Sequence, residues 1–122
     1  MQTAFYLLGA LSAGLGVALG AFGAHALRAR LAPERLETFE IGVRYQLYHA
    51  FGLLVVALAA SVWPASSWLP IAGWAFVAGT LLFSGSLYLL AFSGQRRWGA
   101  ITPLGGLAFI AGWACTVLTA FG

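Results

Sequence analysis

Charged side chains fall in only two stretches of the chain, Arg28 to Arg44 and Arg96 with Arg97, and everything else is uncharged. Three uncharged tracts result: Met1 to Leu27, Tyr45 to Gln95, and Trp98 to Gly122. A helix needs about 20 mostly apolar residues to cross the hydrocarbon core of a bilayer. The first and last tracts therefore hold one span each, and the middle tract, twice as long, holds two. Its divider is the run Ser61 to Pro70, where prolines and serines break the helix and Trp63 and Trp68 suit the headgroup level. The pattern predicts helices near 4–27, 43–63, 70–93 and 102–121. Gly94 stands where a C-terminal glycine cap belongs, and Thr102 with Pro103 reads as N-cap and first-turn proline.

A second pattern runs inside the spans. At about 100° per residue, Leu8, Leu11, Leu15, Leu19 and Phe22 form one narrow stripe of span one, and Gly9, Ala13, Gly16 and Gly20 fall on another face. Membrane helices associate through small residues that let backbones approach, because lipid tails are as apolar as leucine. The bulky stripe is thus expected to meet lipid and the small face to meet helices. Ala72, Ala75 and Gly79 repeat the device in span three, and Gly105, Ala108 and Gly112 in span four. Between spans one and two, Pro33 can open a helix in which Leu36, Phe39 and Val43 share a side. Glu40 and Arg44 stand there at the favourable i to i+4 spacing. A short interfacial helix running into span two is expected.

Composition agrees. Of 122 residues 61% are hydrophobic and 7% charged, whereas a water-facing surface carries roughly a quarter to a third charged residues. A soluble enzyme, a nucleic-acid binder and a secreted disulfide scaffold are excluded. The fold class is an all-α polytopic membrane protein, a four-transmembrane-helix bundle forming a single integral membrane domain over residues 1–122. All six arginines lie in the loops on one side of such a bundle or at their edges. The positive-inside rule then makes those loops cytoplasmic and both termini extracytoplasmic. Met1-Gln2-Thr3 has no basic residue before the apolar run, which disfavours a secretory signal.

Polar groups gather toward the arginine side. Counting about 1.5 Å per residue inward from Arg28 and Arg44, His25 lies about 4 to 5 Å inside and His49 about 7 to 8 Å inside. Span three brings Ser84, Ser86 and Tyr88 to that depth, span two adds Tyr45, with Gln46 and Tyr48 beside it, and span four begins there with Thr102. With Glu40 and Arg44 these form the candidate ligand site or polar cluster, since an ionisable residue inside a span is a functional hypothesis by default. The structural alternative is interhelical glue. Two histidines and a lone Cys115 at the far end do not make a zinc set, and no nucleophile with a base and an orienting group can be assembled. No metal, cofactor or catalytic residue is expected. His49 shares a face with Gly42, Gly52 and Val56, so its ring is expected to point inward. Its expected hydrogen-bond partner lies on another segment, with His25, Glu40, Ser84, Ser86 and Tyr88 as candidates.

Four runs in order, Gly20 to Leu27, Tyr45 to Ala50, Leu82 to Leu89 and Ile101 to Gly106, carry a resemblance. The chain resembles the YgdD-like family of small bacterial inner-membrane proteins, a domain of unknown function, over nearly its whole length. The resemblance implies four spans and a bacterial inner membrane, and it implies no reaction. The expected function is that of a non-enzymatic structural, accessory or small-ligand and lipid-binding module. Its expected partners are membrane lipid and other copies of itself or a larger membrane complex, with no nucleic acid. The alternative is a small permease, channel or proton-handling protein using His25 and His49.

Overall fold

The computed structural model describes residues 1–122, and all of its regular structure is helical. Four helical rods are long and apolar enough to cross a membrane: Gln2–Leu27, Pro33–Val62, Trp68–Ser93 and Arg96–Thr119. We call them α1 to α4. Three lie within a few residues of their expected bounds. The exception is α2, which begins ten residues before the expected 43. Pro33 occupies its first turn with Ala32 extended before it, where a missing N–H costs nothing and the fixed φ suits a helix. The expected interfacial segment is thus the continuous first third of α2. Its apolar side does not lie on a membrane surface, because Phe39 and Val43 are buried in a cluster with Ala24 of α1 and Ala91 of α3.

The ends follow local chemistry. Gly94 closes α3 with φ of 70° and donates its N–H to Leu90 O at 2.8 Å, a left-handed conformation that a side chain would strain. Thr102 does not cap α4 as expected. The 3-10 segment Arg96–Ala100 runs directly into that helix, and the threonine hydroxyl turns instead to Ser86 on α3.

Helices α2 and α3 form the centre, with α1 against α2 and α4 against α3. Small residues set these approaches. In α1 a Cβ on Gly9 would meet Ala50 O at 2.9 Å, one on Gly16 would meet Leu47 at 2.7 Å, and one on Gly20 would meet Val43 at 3.2 Å. Farther along, Gly79 and Gly112 receive the rings of Phe109 and Phe76, and Gly105 lies against the Phe83 backbone. Ala13, Ala75 and Ala108 flank these seams half-buried. Leu8, Leu11, Leu15 and Phe22 are exposed as expected of a lipid stripe. Leu19 is the departure, packing against the Ala24, Phe39 and Val43 cluster. It opens a five-residue π turn, Leu19–Gly23, which widens the helix and shifts the face by about one residue. A second π turn, Thr80–Ser84, interrupts α3. No feature of composition foretells either.

Candidate functional site

One group of hydrogen bonds joins α1, α2 and α3. Gln46 on α2 is its hub: Nε2 donates to Ser12 O on α1 at 2.9 Å, and Oε1 accepts from the Tyr88 hydroxyl on α3 at 2.6 Å. One turn toward the arginine end, Ser84 Oγ donates to Gly42 O at 2.6 Å. That bond holds α3 at its π turn against a backbone carbonyl of α2. Ser86 Oγ and Thr102 Oγ1 meet at 2.6 Å and join α3 to α4. Of the candidate residues, Tyr88 meets α2 through Gln46, Ser84 meets it through the Gly42 carbonyl, and Ser86 pairs separately with Thr102.

His49 sits elsewhere. Its Nδ1 lies 2.8 Å from Tyr45 O, one turn back in α2, and its Nε2 lies 3.0 Å from Trp113 Nε1 on α4. A carbonyl can only accept, so Nδ1 carries the proton and Nε2 accepts the indole N–H. The cross-span bond expected of His49 exists, but its partner is Trp113, a residue outside the expected five. The ring also stacks on Phe109 with centroids 3.5 Å apart and planes 5° from parallel. Phe76 and Trp113 close the remaining sides. Both nitrogens are satisfied and the ring is 5% exposed.

The other candidates do not join this network. His25 is exposed near the arginine end of α1, and no hydrogen bond links it to His49. Glu40 is half-buried and Arg44 exposed, and the expected ion pair between them does not form, since no acid and base approach within 4.0 Å anywhere. Tyr45 stands beside Phe83, its centroid 4.5 Å away. A residue missed in the sequence is Arg35, whose Nε donates to Ala91 O at 2.6 Å. The last turn of a helix has unpaired carbonyls and a partial negative charge, which an arginine complements. No three metal-ligating side chains cluster.

Beside the hub lies a lateral cleft of about 360 Å³ between α1 and α3. The two helices meet near the terminal end, where Phe5 fills the gap beside Gly73 and stacks edge-on against Trp74. Farther along they part. Leu8, Leu11 and Leu15 form one wall and Leu81 the other, over a floor of Gln46, Tyr88, Ser84 and Thr80. Thr80 opens the π turn of α3, and its Oγ1 is buried without a hydrogen-bond partner. A second hollow of about 150 Å³, lined by Leu53 and Val77, shares Leu8, Ser12, Thr80 and Leu81 with it.

Comparison with known proteins agrees with this architecture. Residues 19–106 match the model of a family described as Protein of unknown function (DUF423). The chain belongs to this family. That span covers the α1 π turn, the Gln46 hub, the α3 π turn and Thr102. Relatives match almost end to end. A UPF0382 membrane protein, YwdK of Bacillus subtilis, is 47% identical over 116 residues, 95% of this chain and 94% of its own. The UPF0382 inner membrane protein YgdD of Escherichia coli is 40% identical over 121 residues, 98% and 92% of the two chains. A UPF0382 membrane protein of Staphylococcus haemolyticus is 42% identical over 121 residues, 96% and 94%. No solved structure matches. The family membership makes the chain an integral membrane protein and names no activity.

Proposed function

We propose that this chain is a non-catalytic module of the bacterial inner membrane that holds a bilayer-derived amphiphile in the cleft between α1 and α3. The occupant is a chain-bearing molecule with a hydrogen-bond acceptor, such as an acyl or prenyl chain carrying a carbonyl. The observation that carries the reading is Thr80 Oγ1, a buried hydroxyl with no partner at the floor of a leucine-walled cleft. In hydrocarbon no water is at hand, so an unmade hydrogen bond there costs more than at a wet surface. Leucine walls suit a chain, and an acceptor that parts the floor far enough to reach Thr80 Oγ1 would satisfy the threonine. The alternative of proton handling asked His25 and His49 to act as a pair, and nothing joins them.

Native mass spectrometry from a mild detergent tests the reading. Wild-type protein should carry a lipid-sized adduct. Thr80→Val, which keeps the shape and removes the hydroxyl, should retain less, and Ser12→Leu, which fills the cleft, should retain none. Adduct-free wild type, or equal retention in all three, would sink the proposal.

A further inference from the structure

Depth narrows what the cleft between α1 and α3 can hold. Counting about 1.5 Å per residue from Gln2 and Trp68, where α1 and α3 begin, Ser12 lies about 15 Å and Thr80 about 18 Å into the bundle. A hydrocarbon core is about 30 Å thick, so both residues stand near its middle. No charged side chain lines the cleft or the smaller hollow behind it.

The hydroxyls of these two residues are the groups that the cleft leaves free. Gln46 and Tyr88 are bonded to each other, Gln46 also holds the Ser12 carbonyl, and Ser84 is committed to Gly42. Ser12 Oγ bonds to nothing in the chain, and neither does Thr80 Oγ1. Both residues line both hollows, one from α1 and one from α3. Thr80 Oγ1 is the one buried side-chain oxygen or nitrogen without a partner. The unpaired serine hydroxyl is therefore open as the structure stands, and the threonine is reached once an occupant parts the floor.

We infer that the occupant is an uncharged quinone, with its ring between the leucine walls and its apolar tail leaving sideways into lipid. The inference rests on the reading of this cleft as a lipid site. A phospholipid carries its ester carbonyls beside the headgroup, at the edge of the core and about 15 Å from its middle. Drawing them down to Ser12 and Thr80 would bring a charged phosphate into hydrocarbon, where the cleft supplies no counter-ion. A diacylglycerol is uncharged, but its own hydroxyl seeks water and keeps its carbonyls near the surface. A quinone ring lies among hydrocarbon at neither cost. Its two carbonyls point from opposite edges of one flat ring, so hydroxyls on two different helices can each donate to one. The cleft, about 360 Å³, is at the small end of the roughly 300 to 1,000 Å³ of small-molecule sites. It takes a ring and the start of a tail, and the rest of the tail stays in the bilayer.

Titration with decylubiquinone tests this, using protein in nanodiscs of phosphatidylethanolamine and phosphatidylglycerol and native mass spectrometry as the readout. Wild type should bind one decylubiquinone saturably, and an equal concentration of dioleoylglycerol should not displace it. Ser12→Ala and Thr80→Val should each weaken binding about threefold to tenfold, the effect of one lost hydrogen bond. Thr80→Ser, which keeps the hydroxyl, should bind like wild type, and Ser12→Leu should not bind. If Thr80→Val fails to fold, Ser12→Ala decides the matter alone. A phospholipid or diacylglycerol adduct that decylubiquinone does not displace and Ser12→Leu abolishes would overturn the quinone while leaving the cleft a lipid site. Absence of any adduct, or decylubiquinone bound equally by wild type and Ser12→Leu, would overturn the quinone and the lipid site together.

Discussion

Trp113 donates its indole N–H to Nε2 of His49 across 3.0 Å, which ties α4 to α2 at a depth where water is scarce. The bond fixes the histidine as the Nδ1–H tautomer, because the other nitrogen is committed to the Tyr45 carbonyl. Removing either partner strands the other. Trp113→Phe leaves Nε2 as a buried acceptor and should cost about 1 to 2 kcal/mol, within the range of interhelical bonds in membranes. His49→Phe should cost a similar amount. The double variant should recover part of the loss, since no polar atom is then left unpaired. A double-mutant cycle of unfolding in detergent measures it, and strictly additive losses would mean that the two residues do not interact.

The small face of α1 predicts an asymmetry between neighbours in sequence. A Cβ on Gly16 would come within 2.7 Å of the Leu47 side chain, which a full leucine would have to displace, and Leu15 is 58% exposed. Gly16→Leu should destabilise the protein by about 1 to 3 kcal/mol through overpacking, and Leu15→Ala, which trims an exposed side chain at the cleft wall, by much less. Thermal unfolding of both variants in one detergent reads the difference. Equal losses would show the faces to be misassigned.

Three uncharged tracts were legible because charge is excluded from hydrocarbon more strictly than any propensity acts, and the prolines and serines of Ser61 to Pro70 divide the middle tract into two spans. The glycine seams were legible where small residues face a bulky stripe across the helix: Gly9, Gly16 and Gly20 are close approaches, whereas Gly14, also at helical spacing from Ala10 and Ala18, meets nothing. His49's partner was not legible. A depth measured from Arg44 is too shallow, because α2 begins at Pro33 and the ring lies nearer the middle of the bundle. A signal for Trp113 did exist, since it lies about 40° from the face that carries Gly105, Phe109 and Gly112. Single hydrogen bonds that depend on register between spans, such as Ser84 to Gly42, need the packing before they can be read. The π turns left no mark in the pattern at all.

Topology is tested by labelling. The arginines flank the loops on one side, so cysteines placed at Gln2 and Ser66 should react with an impermeant thiol reagent added outside intact cells. One at Gln95 should react only after lysis. Cys115 is buried and its removal clears the background. Labelling of all three from the same side would refute the four-span path, and labelling of Gln95 alone would invert it.

The π turn of α1 makes a prediction about deletions. A π turn accommodates one extra residue while the helix on either side keeps its facing. In α1 the flanks are Gly16 against Leu47 above and Ala24 in the Phe39 cluster below, with Leu19–Gly23 between them. Deleting Ala21, an exposed residue within the turn, should let an ordinary α-helix close the gap with both flanks still in place. Deleting Leu11 removes a residue that is equally free of core contacts, being 69% exposed, but it lies in regular helix. There the loss turns everything before it by about 100° relative to everything after. Phe5 then leaves its place beside Gly73, Gly9 leaves Ala50, and larger residues are driven against α2 at a cost of about 2 kcal/mol or more. Unfolding temperatures in one detergent should therefore fall far more for the Leu11 deletion than for the Ala21 deletion. Similar losses would mean that the π turn holds strain or contacts of its own and is not a spare residue absorbed by the helix.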